Sequence, residues 1–340
     1  MGGRSSADVV YLILSHVYPE QVVRLVNRLL AHNPGARVVV HHDYAHSYLD
    51  PSSLDGRRVE VIHHTEGIEW GTYSQAEAIL RSLRWIEERL DYRWIVFISG
   101  QDYPLRSPVE IQDFLLASDH DAFIAKPRLV EYRSRDETGL RDFWSARYFY
   151  AYYALPRIGR RLPARAANAV QNFEVLLRSH QPFVFFWMMP RGGRTMLGIR
   201  RVHHPFNESF RCYCGSDSFT WSRKSVRVVL DFVARRPDVI ACYRRSIHPS
   251  ESLFNSILMN THGLRLHYDN LRFERFAGPG AAHPDILVLG DLGILLSSGK
   301  HFARKFDAAV DDAILDALDR RIDRSRLHEN AIAPPSAEAE

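Results

Sequence analysis

Strand-length runs that are almost wholly apolar alternate with segments of helical period, and this alternation leaves few architectures open. Asp8 to Leu14 (DVVYLIL), Arg37 to Val40, Val59 to Ile62, Arg93 to Ile98 (RWIVFI) and Asp121 to Ala125 are the runs. Between them, Pro19 opens a helix with Val22, Val23, Leu25, Val26, Leu29 and Leu30 on one face, stopped by Asn33-Pro34-Gly35. Thr72 to Leu90 is a second amphipathic helix, and Ser107-Pro108-Val109-Glu110 is a capping box that starts a third. Continuous rather than alternating apolar strands are buried on both faces, so the fold class is α/β, a sheet with helices on both sides. In such sheets ligands bind beyond the carboxyl ends of the strands. Three polar clusters fall there: Ser15-His16, His41-His42-Asp43 and Ser99-Gly100-Gln101-Asp102. They make His16, Asp43 and Asp102 candidates for contacts to a nucleotide or its sugar.

With 340 residues, 46% of them hydrophobic, the chain can bury a large core. We expect one domain over about residues 1–327, its nucleotide-binding half at 8–126 and its acceptor and catalytic half at 127–327. From about residue 328 a disordered tail is expected. The net charge of +4 comes from 44 basic and 40 acidic residues, well mixed, and does not demand a nucleic acid partner. Three cysteines, Cys212, Cys214 and Cys242, are too few and too oddly spaced for a disulfide framework or a zinc site, and read as reduced thiols. No secretion signal or membrane-spanning run is seen, which points to a soluble protein of the cytoplasm, with peripheral membrane association open.

From 127 to 211 the regular pattern is lost and Arg and aromatic residues become dense, Trp144 and Arg147 among them. Aromatic faces such as Trp144 suit the C–H faces of an acceptor sugar, and equally suit a core. Further on, Gly215 to Ser222 reads as a strand, and Gly290 to Leu296 and Asp307 to Ile322 as helices.

The segment His248 to Leu258 starts a helix in which Leu253, Phe254, Ile257 and Leu258 form the apolar face. Glu251 shares that face. A carboxylate aimed at a core is costly unless chemistry needs it, although a first-turn acid also complements the helix dipole. Later, Lys300 to Phe306 sets basic groups among aromatic anchors, so Arg304 and Lys305 could hold a diphosphate, or simply be a solvated surface. The one Asp-x-Asp match, Asp119-His120-Asp121, precedes a strand and belongs at the wrong edge of the sheet for a metal. Adjacent histidine pairs point to opposite strand faces. No phosphate-binding P-loop, dinucleotide fingerprint or nucleophile elbow occurs.

Six pieces in order resemble the core-2/I-branching glycosyltransferases (glycosyltransferase family 14, which includes the peptide O-xylosyltransferases): Tyr11 to His16, Trp70-Gly71, Phe97 to Pro104, Gly215 to Arg223, Pro249 to Leu258 and His301 to Asp307. The resemblance implies a GT-A-like fold, a Rossmann-like mixed sheet, and inverting, metal-independent transfer from a UDP-sugar, with no cofactor. It implies that Glu251 is the catalytic base and Lys305 the phosphate-binding lysine. A second basic phosphate ligand falls near His283, where no Arg stands, so His283 or Arg304 takes that place. Acceptor-stacking aromatics fall on Phe273 and on Arg275, which is not aromatic. Ser218 stands where the family often has an aromatic ring. The donor expected is UDP-GlcNAc, with UDP-xylose second, and the acceptor is a hydroxyl of a glycan, a peptide or a small glycoside. A catalytically silent sugar-binding protein and a metal-dependent transferase using Asp119 and Asp121 are the rivals.

Overall fold

The computed structural model describes residues 5–54, 56–133, 142–155, 182–188, 195–278 and 283–332. Its centre is a seven-stranded sheet in the order β13-β6-β12-β4-β1-β2-β3. The strands are β1 (Ser5–Ser15), β2 (Ala36–Asp43), β3 (Val59–His64), β4 (Leu90–Ser99), β6 (Ala122–Ile124), β12 (Phe219–Ser222) and β13 (Leu266–His267). β1 runs parallel to both β2 and β4, and β12 runs antiparallel to its neighbours β4 and β6. The sheet is therefore mixed, with one reversed strand near its middle, in agreement with the expected α/β class.

Burial on both faces of β1 follows from its sequence. Val9, Tyr11 and Ile13 enter one apolar cluster and Val10 and Leu12 the other, with none of the five more than 1% exposed. The first cluster is closed by α1 (Pro19–Leu30), α3 (Pro108–Ala117) and α9 (Ala313–Ile332), through residues such as Leu25, Ile111 and Leu318. The second is closed by α2 (Tyr73–Arg89), α5 (Arg223–Arg235), α6 (Pro237–Tyr243) and α7 (Ser250–Met259), through Leu83, Val229, Ile240 and Ile257. Phe219 and Trp221 of the reversed strand stack with ring centroids 3.5 Å apart, and Phe219 also stacks on Phe97 of β4.

Three smaller sheets surround this core. β8 (Tyr150–Ala154), β10 (Thr195–Arg200) and β9 (Val184–Met188) form an antiparallel sheet within the stretch where the sequence pattern fades. β7 (Arg128–Leu129) pairs with β11 (Tyr213–Cys214). β14 (Arg272–Glu274), β15 (Phe302–Arg304) and β5 (Asp102–Pro104) form the third, beside the carboxyl end of β4. The short helix α4 (Phe143–Phe149) precedes β8, and α8 (Leu292–Ser297) precedes β15.

Several boundaries differ from the sequence expectation. β1 starts at Ser5 because Ser5 to Ala7 pair with the start of β4. The expected strand Gly215 to Ser222 is shorter, and 215–218 is instead a loop tied to α7 by the Gly215 amide, which donates to the Glu251 carbonyl. The last helix starts at Ala313, not Asp307, because Asp307 accepts from the Ala309 amide and from the Tyr18 hydroxyl and holds a turn there. It continues to Ile332, past the expected start of a tail, and 333–340 lie outside the described residues. All three cysteines are free and buried. Among the described residues no helix is long and apolar enough to cross a membrane.

Candidate functional site

Glu251 stands in the first turn of α7, beneath His248, whose backbone takes a left-handed turn at φ 48. That turn is fixed by the His248 amide donating to the Gly71 carbonyl at 2.8 Å. A guanidinium nitrogen of Arg147, on α4, donates to Glu251 Oε2 at 2.6 Å. His248 Nδ1 lies 3.7 Å from the other oxygen, Oε1. The carboxyl is deep, but 27% of the side chain is open to solvent. Burial pushes it up to about 7, opposed by the Arg147 cation and reinforced by the negative charges of Asp217 and Glu274. His248 goes the other way, down to about 3, through burial and the Arg147 charge, so it is a neutral imidazole. A carboxylic acid poised to lose its proton near neutral pH can serve as a general base.

A second group of charges comes from the sheet of β14, β15 and β5. Its register puts Glu274 beside Arg304 and Arg304 beside Asp102, so one cation sits between two acids in a cross-strand row. Arg304 Nε lies 3.4 Å from Asp102 and 3.9 Å from Glu274. Asp217, from the loop before β12, joins the group: it accepts from Gln75 of α2 at 2.6 Å and from the Ser250 hydroxyl at 3.3 Å. Burial pushes the carboxyls of Asp217 and Glu274 up, and the Arg304 charge partly restrains both. Asp217 and Glu274 act electrostatically on Glu251 and on Arg304 alike, so these four groups share one charge environment.

Lys305 follows Arg304 directly, and its position is fixed by the backbone. Its carbonyl accepts from the Leu287 amide at 2.9 Å, and the next amide, Phe306, donates to the Gln101 carbonyl at 2.9 Å. Gln21 of α1 completes the tether, donating to the carbonyls of Gly100 and Phe306 and accepting from the Ala308 amide. Gly100 is required where these segments meet: a Cβ there would lie 2.9 Å from Val22 and 3.0 Å from Ser15.

The remaining sequence candidates divide. Asp102 is fully buried and accepts from the Ser99 amide and hydroxyl besides facing Arg304. Asp43 is fully buried too, but its acceptors are taken by the amides of Ala45 and Ile68 and by His46 Nδ1. It orders the loop after β2. His16 packs its ring edge-on against His46, 5.8 Å away, in that same loop. His283 reaches the Glu251 neighbourhood through Trp70: its ring is 5.0 Å from Trp70, which in turn packs 4.3 Å from His248. Trp144 stacks on the Arg147 guanidinium at 4.7 Å and is one residue removed from Glu251. Phe273 packs against the apolar cluster closed by α1, α3 and α9, while its neighbours Arg272 and Glu274 point to the other side of the strand. Asp121 is bound by the Lys224 ammonium and the Arg265 amide, at the opposite edge of the sheet, and Asp119 pairs with Arg265. Among the described residues no group of three or more His, Cys, Asp or Glu is placed to hold a metal ion.

Sequence reasoning passed over Arg147, Asp217, Glu274, Gln21 and His248 as members of the site. Arg147 was one cation among many in an irregular stretch, and Asp217 stood inside a segment read as strand. The signal available was local: an acid next to a glycine turn, and an arginine flanked by aromatics three residues before and after.

Residues 9–135 match the Core-2/I-Branching enzyme family. A beta-glucuronosyltransferase of Arabidopsis thaliana is 25% identical over 309 residues, covering 86% of this chain. The chain spans 59% of that protein's length. Among solved structures, a putative glucose-1-phosphate thymidylyltransferase of Bacillus anthracis in complex with a sucrose aligns with a TM-score of 0.32 at 10% identity, over 77% of this chain and 86% of that one.

Proposed function

From the match of residues 9–135 to the Core-2/I-Branching enzyme family and the likeness to a beta-glucuronosyltransferase over 86% of this chain, we propose that the protein is an inverting, metal-independent glycosyltransferase that moves a sugar from UDP to an acceptor hydroxyl. The acceptor oxygen attacks the anomeric carbon on the face opposite UDP and gives its proton to Glu251. The bond from that carbon to the diphosphate oxygen breaks, and its electron pair leaves with UDP. Lys305, with Arg304 beside it, balances the charge that develops there. The observation that supports this most directly is the shared charge environment: Asp217 and Glu274 act on both Glu251 and Arg304, and Lys305 follows Arg304 directly in the chain.

For the donor we propose UDP-GlcNAc, with UDP-xylose second. The relative from Arabidopsis is by its name a glucuronosyltransferase. In this chain Asp102, Asp217 and Glu274 surround a single Arg304, which favours hydroxyl donors over a second carboxylate. UDP release with UDP-GlcNAc, UDP-xylose and UDP-glucuronate, over a panel of glycan, peptide and glycoside acceptors, tests the proposal. Turnover by wild type and its loss in Glu251→Gln is the expected result. Binding of UDP by both without turnover would leave a sugar-binding protein of the same fold.

A further inference from the structure

Arg147 differs from the other arginines near the site in what surrounds its guanidinium. Ring centroids of Phe143, Trp144 and Trp187 lie 4.6, 4.7 and 5.7 Å from it. The residue is 8% exposed, and its backbone is anchored by the Ile247 amide, which donates to its carbonyl just ahead of the His248 turn. Aromatic faces stabilise the cation and hold the plane of its fork, but offer it no acceptor. Glu251 Oε2 supplies one at 2.6 Å. The carboxylate is thereby held through Oε2, and among the described residues the neutral His248 ring is the recorded neighbour of its other oxygen, Oε1, at 3.7 Å.

We propose that Arg147 is the positioning residue for the general base: caged by Phe143, Trp144 and Trp187, it pins Glu251 through Oε2 and leaves Oε1 as the oxygen that receives the acceptor proton. The inference rests on the transferase reading above. A charge-assisted bond of this kind fixes geometry as well as energy, and a base swung away from the attacking oxygen loses its effect even when ionised. The groups facing Glu251 are Arg147 from α4, His248 from the turn before α7, Cys214 from β11, Asp217 from the next loop and Glu274 from β14. Arg147 is the one among them that is cationic. It favours the carboxylate, so removing it raises the pH at which the base becomes available. Tyr148 and Cys214 also lie against the guanidinium, and burial pushes both well up, so they stay neutral there.

The test compares wild type, Arg147→Met and Arg147→Lys by UDP release between pH 5 and 9, with melting followed by circular dichroism. For Arg147→Met the expected result is a kcat at least about 100-fold lower, a KM within about threefold of wild type, and an acidic limb moved up by at least about one pH unit. Arg147→Lys keeps the charge without the fork and should recover the limb but only part of kcat. A folded Arg147→Met with the wild-type limb and kcat overturns the proposal. If that variant does not fold, Arg147→Lys decides, and a wild-type kcat there overturns it. Should wild type turn over no donor, the transferase reading fails separately. The Glu251 carboxyl is then titrated by carbon NMR, with Glu251→Gln identifying its signal, and an unchanged midpoint in Arg147→Met, or in Arg147→Lys an unchanged carboxyl signal, overturns the role of Arg147.

Discussion

Two polar regions lie along the same side of the sheet, and they are satisfied in different ways. At the ends of β1 and β2, Ser15 bonds His42, His42 reaches the Ser47 carbonyl, and Asp43 takes two amides and His46. These groups answer one another, and the donors around Asp43 hold its carboxyl below the ordinary range although burial opposes them. In the second region, Asp102, Asp217, Glu251 and Glu274 share two cations, Arg147 and Arg304. There burial wins, and three of the four acids are pushed up. A self-satisfied polar cluster shapes a loop, whereas a cluster with more acids than partners stores reactivity, because a proton or a ligand can complete it.

This contrast can be broken first at Glu251. Glu251→Gln should lower turnover by about 10²–10⁴-fold while UDP affinity by calorimetry stays within about twofold. The same variant reports the cost of the site to stability. The folded-state value near 7 lies above the usual carboxylate range, so the wild-type carboxyl is tolerated when protonated and destabilises the fold as pH rises through 7. Glu251→Gln should therefore melt higher than wild type at pH 8, by about 1–3 kcal/mol, and lose that advantage below the carboxylate range. A Glu251→Gln that melts lower at pH 8 would mean that the ion pair with Arg147 outweighs burial.

The next largest effect belongs to Lys305. Lys305→Ala removes a charged hydrogen-bond donor and should weaken UDP binding by about 1.5–3 kcal/mol. Unchanged UDP titration would take Lys305 out of the site and leave Arg304 alone at that corner.

Asp43→Asn sharpens the comparison from the other side. We expect a stability loss of about 1–2 kcal/mol from the weakened loop bonds and turnover within about threefold of wild type. Because the Asp43 carboxyl is held below its ordinary range, its contribution is present above that range and disappears as pH falls through the lowered value. Asp43→Asn and wild type should then converge in strong acid. A large loss of turnover would make the loop part of the reaction site. The smallest effect is expected from EDTA, which should leave the rate within about twofold if Lys305 and Arg304 carry the charge without a metal.

The first half of the fold was readable because its signals are short-range. Val9 to Ile13 are apolar without interruption, Ser107 and Glu110 form their capping box within one turn, and each strand announces its end with polar residues. Glu251 was visible as an acid on an apolar face. Arg147 was not visible as its partner, since the two are brought together only by packing α4 against α7. Nor could sequence show that Asp43 is spent on amides from residues 45 and 68 while Asp102 faces Arg304. Phe273 and Glu274 are neighbours in the chain and point to opposite sides of β14, a matter of register rather than composition.

The amino-acid order by itself determined the α/β sheet, the edge at which its polar loops collect, and the acid and base types that such a reaction needs, because periodicity and capping act over a few residues. Tertiary structure alone decided which acids share a cation and that Arg147 pairs with Glu251. Those outcomes depend on burial and on contacts between segments distant in the chain, as the separations of 104 residues between Arg147 and Glu251 and of 285 between Gln21 and Phe306 show.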